Sequence, residues 1–264
     1  MKRLQIHSES STVDALREAL VAKQATVDAL MLGFAVTDFP VVEQLSFDVV
    51  YEPAAPIERL GGDWYDIFRL PDGRVAFSVG DVCGKGLGAA VKMGQAKQAI
   101  KVAASLPNND PMPLAVLTQT NTVIFLNDHH VEFTTAVYGV IDTSSRKVTY
   151  ACAGHHPPIL AKRGEAARVL PNHGFALGVE RDLPHVIQEH EFRYEPGTLF
   201  VLYTDGLIES RDNGEEGESR LLMAARAAVD GNAANPAHFI AETVVQGEPE
   251  HPDDVTVLSI FFKA

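Results

Sequence analysis

The chain has only two cysteines, Cys83 and Cys152, and neither sits in metal-ligand spacing with other cysteines or histidines. Two isolated thiols exclude a disulfide-built scaffold and a zinc finger. Basic residues are scarce as well: 22 Lys and Arg stand against 35 Asp and Glu, a formal net charge of −13. Phosphate-backbone binding needs clustered Lys and Arg to displace counterions, so nucleic acid is not expected as a partner. No apolar run reaches the roughly 20 residues that span a bilayer. The opening residues Met1 to Ser8 also lack the apolar stretch of a signal peptide. These absences set the expectation of a cytoplasmic protein with no membrane association.

What remains is the balance of a folded protein. Hydrophobic residues make up 46% and charged residues 22% of 264, enough to bury a substantial core. The acidic surplus serves solubility, and it also suits a protein that gathers carboxylates around hard cations.

Along the chain, Val13, Leu16, Leu20, Val27, Leu30 and Phe34 recur at steps of three, four and seven, with Lys23 interrupting the stripe. The pattern predicts an N-terminal helix within an arm over residues 1–40, either pairing as a coiled coil or lying on the domain that follows. Beyond Pro40 the period becomes two: Leu45, Phe47, Val49 and Tyr51 mark a strand. Strands at 64–70 and 74–79 flank Pro71-Asp72-Gly73 and read as a hairpin. Helices are expected at 87–105 and 114–126, then strands at 134–141, 147–152, 158–161, 186–192 and 198–203. Helices at 220–229 and 237–245 and a last strand at 255–262 follow. Strands in runs with helices in pairs indicate an α+β domain over 41–264.

Several acids stand where an apolar strand meets a loop. Asp81 follows Val75–Gly80 and precedes Val82-Cys83-Gly84-Lys85-Gly86, and Asp205 follows Leu199–Thr204. Asp253 and Asp254 directly precede the final strand, and Asp63 and Asp66 bracket Trp64-Tyr65 after Gly61-Gly62. An Asp beside Gly is first of all a turn residue; it is their joint placement at strand ends that predicts convergence. Converging carboxylates repel unless protonated or neutralised by a cation. An all-oxygen set suits Mg²⁺ or Mn²⁺, and two such ions can activate a water against phosphorus.

Five segments now carry a resemblance: Gly61-Gly62-Asp63-Trp64-Tyr65-Asp66, Gly80-Asp81-Val82-Cys83-Gly84-Lys85-Gly86, Ala153-Gly154-His155-His156-Pro157-Pro158, Tyr203-Thr204-Asp205-Gly206-Leu207-Ile208-Glu209 and Asp253-Asp254-Val255-Thr256. In this order they resemble the stage-II-sporulation-E and RsbU-like branch of the PPM, or type-2C, serine/threonine phosphatases, from about Leu45 to the end of the chain. The resemblance implies a four-layer αββα sandwich with two central antiparallel sheets and two Mn²⁺ or Mg²⁺ ions at one edge. It implies that Asp81 bridges both ions, that Val82 lends its carbonyl, and that Asp205 and Asp253 complete one shell. Asp63 helps hold the other ion, and Asp254 ranks below Asp253. The implied chemistry is attack of a metal-bound water on phosphorus, with Asp81, Asp205 and Asp253 as the catalytic acids. The implied substrate is a phosphorylated protein, an anti-sigma-factor antagonist in a partner-switching pathway. The N-terminal helix would transmit a signal or form a homodimer. No arginine matches the phosphate-gripping residue of eukaryotic members; Arg59 is the nearest to the first motif.

Other readings are weaker. His155-His156 and His129-His130 are adjacent pairs whose side chains point apart in extended chain, which disfavours a shared transition metal. Gly80 to Gly86 fails the P-loop pattern in spacing and in its last residue, and no Gly-x-Ser-x-Gly elbow occurs. The rival from another class is a non-catalytic phosphoprotein-binding module on the same fold.

Overall fold

The computed structural model describes residues 38–53, 61–106, 108–127, 133–209, 214–245 and 253–263. The helix expected in the arm lies outside these residues, as do Arg59, His129 and His130. Among the described residues the chain runs β1 (Leu45–Glu52), β2 (Trp64–Arg69), β3 (Val75–Val82), α1 (Gly86–Ser105), α2 (Pro113–Asn127), β4 (Thr134–Asp142), β5 (Lys147–Ala153), β6 (Ile159–Lys162) and β7 (Arg168–Val169). It continues with β8 (Glu189–Arg193), β9 (Thr198–Tyr203), α3 (Gly214–Asp230), α4 (Pro236–Val245) and β10 (Val255–Phe262).

The strands form two five-stranded sheets, ordered β1-β10-β9-β6-β7 and β2-β3-β4-β5-β8, and every ladder between named strands is antiparallel. Three apolar layers separate four structural ones. Phe77, Val79 and Ile141 meet Phe200, Leu202 and Ile260 between the sheets. Met93, Ile100 and Leu117 of α1 and α2 cover Ala76 and Tyr138 on the outside of one sheet. Leu221, Ala225 and Ile240 of α3 and α4 cover Val201 and Val257 on the outside of the other. Alternate residues of β9 and β10 thus serve two different cores, which is why both strands read as unbroken apolar runs. This is the expected αββα sandwich. Helix α1 follows the same logic: Ala89, Met93, Ala96, Ile100 and Ala103 are buried at helical spacing. Small alanines in that stripe let the helix sit close to the sheet.

The hairpin prediction holds in detail. Gly73 has φ +89° and closes the turn through its N–H to Leu70 O at 2.9 Å. The strand expected at 74–79 runs on to Val82, and other differences are larger or of another kind. Helix α3 begins six residues before the expected 220, because Gly217 gives no apolar signal; it is there for packing, since any Cβ would collide with the Ile208 carbonyl. The strand expected from 186 starts at Glu189 instead. Ile187 owes its apolar character to burial in the layer beneath α1 and α2, after a short 3₁₀ turn at Leu183–His185. The two-residue β7 was not anticipated, being too short to show a period.

Candidate metal centre

In an antiparallel sheet the end of one strand lies beside the start of its neighbour, and this places the acids. Asp205 leaves β9 where Asp253 and Asp254 enter β10, with Thr204 N–H bonded to Thr256 O at 3.0 Å. In the facing sheet, Asp63 enters β2 while Asp81 lies at the end of β3, where Trp64 is paired with Gly80. The two sheets are stitched together at this edge. Asp63 Oδ2 accepts from Thr204 Oγ1 at 2.6 Å and from Thr256 Oγ1 at 2.7 Å. Asp254 Oδ2 accepts from Gly62 N–H at 2.9 Å, and Val82 N–H donates to Gly62 O at 3.2 Å.

The electrostatics show how close the acids are. Burial pushes the Asp81 carboxyl up to about 7, and the charges of Asp205, Asp253 and Asp254 push in the same direction; a hydrogen bond with Asp63 opposes them in part. Asp63, 2% exposed, is raised by burial first and by Asp81 next, against the donation from Thr204 and Thr256. Asp63, Asp205, Asp253 and Asp254 thus all lie within electrostatic reach of Asp81 at this edge. Asp254, ranked below Asp253, is the more deeply placed: it is 8% exposed, whereas the Asp253 side chain is 53% exposed and lies 3.9 Å from Lys85 Nζ.

Asp66 does not join them. It is buried on β2 facing α1, where Lys101 Nζ lies 3.2 Å away, so it fastens the helix layer to the sheet. Alternation explains the parting, since Asp63 still lies in the loop that approaches the opposite sheet while Asp66 belongs to the strand.

A cation fits this pocket by its donor chemistry and by its space. The donors are carboxylates with the Val82 carbonyl beside them, an oxygen set that suits a hard ion. Gly62 keeps a gap open there: a Cβ would fall 2.5 Å from Val82 O and 2.8 Å from Asp81 Oδ1. The following loop turns through Gly84 (φ +118°) and Gly86 (φ +76°), conformations that L side chains resist.

The rings of His155 and His156 meet edge-on, with centroids 6.3 Å apart and planes at 76°. His155 is buried, its Nε2 donating to Tyr203 O at 3.1 Å and its Nδ1 accepting from Thr135 Oγ1 at 2.9 Å, and burial pushes its pKa down to about 3. His156 was missed by the sequence reading. One ligand atom each from His156, Asp205 and Glu209 lie within 4.8 Å of one another. The signal available was the four-residue step from Asp205 to Glu209, which puts both on one side of a helical turn.

A sandwich of two antiparallel sheets with acids crowded at one rim defines the class, that of the type-2C phosphatase fold. The chain belongs to the stage II sporulation protein E (SpoIIE) family, whose model matches residues 71–263. It is 28% identical over 213 residues to phosphoserine phosphatase RsbU of Bacillus subtilis, covering 79% of this chain and 60% of that protein. It is also 28% identical over 216 residues to protein IcfG of Synechocystis, covering 72% of this chain and 33% of that one. Among solved structures, the RsbU and RsbW domains of Rv1364c from Mycobacterium tuberculosis superpose with a TM-score of 0.74 at 26% identity, over 87% of this chain and 63% of that one. The chain thus spans between a third and three-fifths of the length of these curated relatives. No helix among the described residues is long and apolar enough to cross a membrane.

Proposed function

We propose that the chain is a metal-dependent protein serine/threonine phosphatase, acting in the cytoplasm on a phosphoprotein of a partner-switching pathway. The observation that carries this reading is the crowding of Asp63, Asp81, Asp205, Asp253 and Asp254 at one rim, with the Asp81 carboxyl pushed up to about 7 by burial first and by the charges of Asp205, Asp253 and Asp254 next. Such a cluster is poorly stable alone and gains from hard cations. Two Mn²⁺ or Mg²⁺ ions are its natural occupants: Asp81 would be shared, with the Val82 carbonyl, Asp205 and Asp253 toward one and Asp63 and Asp254 toward the other. When bound, such ions lower the pKa of water and neutralise phosphoryl oxygens.

The chain's own residues supply the rest. Thr204 and Thr256 orient Asp63 by donating to a single oxygen, leaving its other oxygen for the pocket. Gly62 fixes Asp254 through its N–H. Asp81, Asp205 and Asp253 are the catalytic acids in this reading. The name of RsbU as a phosphoserine phosphatase and the pairing of RsbU with RsbW domains in one similar protein support a phosphorylated anti-sigma-factor antagonist as the substrate.

The test is phosphate release by the full chain from a phosphoserine protein and from an aryl phosphate, with Mn²⁺ and with chelator. Release that needs Mn²⁺ and is abolished in Asp81→Asn supports the reading, and undiminished release in that variant sinks the metal assignment. Metal-independent binding of the phosphoprotein without turnover favours the non-catalytic module. Comparing the full chain with one beginning near Pro40 tests whether residues 1–40 form a regulatory or dimerising arm.

A further inference from the structure

Tyr51 of β1 stands directly opposite Thr256 of β10, and opposed residues of an antiparallel pair send their side chains to the same face. Thr256 is the residue that donates to Asp63, so Tyr51 lies beside the pocket. Its ring packs 6.4 Å from that of Tyr65, centroid to centroid. Its hydroxyl is enclosed and has no hydrogen-bond partner among the described residues. Gly61 N–H is near the oxygen without hydrogen-bond geometry, and as a donor it could not receive the phenolic proton anyway. Burial and the charges of Asp254 and Asp63 hold the phenol well above its usual pKa, so the oxygen keeps its proton and remains a donor. A buried O–H with no acceptor is rare in folded proteins, and the charges acting on this one are those of Asp254 and Asp63, both acceptors. Asp63 Oδ2 accepts from Thr204 and Thr256 and Asp254 Oδ2 accepts from Gly62; a bridging water beside them would give the hydroxyl the acceptor it lacks.

We propose that Tyr51 is a positioning residue of the cation site, its hydroxyl donating a hydrogen bond to a water carried by the ion beside Asp63 and Asp254. The proposal rests on the metal reading of the pocket. Groups that orient the ligands of a bound ion change its affinity by about 10- to 100-fold when removed. A tyrosine acting only in packing would keep that affinity when its oxygen is deleted.

The experiment uses the full chain and Tyr51→Phe, which keeps the ring. Mn²⁺ is titrated into each, with free Mn²⁺ followed by electron paramagnetic resonance and tyrosine absorbance followed in the near ultraviolet. The wild type is expected to take up two ions with a shift in its tyrosine band. Y51F is expected to lose roughly 10- to 100-fold in affinity for one of them and to lose much of that band shift. In chelator, Y51F should melt at or above the wild-type temperature, because the variant no longer buries an orphaned hydroxyl. Equal Mn²⁺ affinity in the two proteins overturns the role of Tyr51 while leaving the metal site standing. A metal-free melt of Y51F below wild type also overturns it, since the hydroxyl would then have a partner inside the protein. A wild type that takes up no Mn²⁺ overturns both this proposal and the reading on which it rests.

Discussion

Asp81→Asn measures what burial and crowding of its charge cost the metal-free pocket. The Asp81 carboxyl moves from an ordinary 3.8 to about 7 on folding. At 1.36 kcal/mol per pH unit, ionising it in the folded chain costs about 4 kcal/mol relative to the unfolded one. Between those two pH values the folded chain holds a proton that the unfolded chain has released. Stability therefore falls as pH rises through that window, and the whole penalty is present above it. Asparagine keeps the shape and removes the charge. Allowing for water entering the pocket, D81N should be about 2–4 kcal/mol more stable than wild type at pH 8 in chelator, since such penalties shrink with solvation. For a chain of this size that is a melting shift of roughly 5–15 °C upward. The gap should narrow on acidification and close near pH 4. Excess Mn²⁺ should reverse the order, because binding at a thousandfold excess over Kd stabilises the wild type by about 4.1 kcal/mol for each ion and the variant hardly at all. The assay is thermal melting of both proteins at pH 4, 6 and 8, with chelator and with Mn²⁺. If metal-free D81N melts below wild type at pH 8, the Asp81 charge is neither penalised by burial nor repelled by its neighbours as argued, and the cation site loses its physical basis.

Other perturbations separate site from scaffold. Gly62→Ala places a Cβ 2.5 Å from Val82 O and 2.8 Å from Asp81 Oδ1; it should cost about 1–3 kcal/mol through overpacking and abolish Mn²⁺ uptake, read by calorimetric titration. Asp66→Ala removes the buried partner of Lys101. Since Lys101 is half-exposed, the loss should be about 2–3 kcal/mol, less than for a fully buried pair. Urea unfolding measures that loss, and Mn²⁺ affinity should not change. His155 stays neutral in the fold, its pKa pushed down to about 3, so its contribution is present above about 6.5 and is lost as pH falls toward 3. By pH 5 that loss is about 2 kcal/mol, and the stability–pH curve of His155→Gln should lack this acid limb.

The layers of the sandwich were legible because their residues obey simple periods. The apolar runs of β9 and β10 announce strands covered on both faces, and the alanine-rich stripe of α1 announces a helix on a sheet. The positions of Asp81, Asp205 and Asp253 at strand ends were legible for the same reason. What the periods could not carry was direction. Asp63 and Asp66 look alike in sequence, yet one enters the pocket and the other fastens α1, and only strand pairing decides between them. Tyr51 was read simply as a strand residue, because its partner in register, Thr256, lies 205 positions away in the chain. His156 was set aside with its neighbour as a turn residue, although the chain bends there to bring it beside Asp205.

The acids come from both sheets and meet across the seam between them, where Thr204 and Thr256 hold Asp63. The pocket therefore works as a gauge of the spacing between the sheets, set far from the rim by side chains such as Phe77 and Phe200, whose rings meet edge-on at 5.4 Å. A substitution there that thickens or thins the sandwich by the width of a methyl group would detune ion binding while touching none of the ligands.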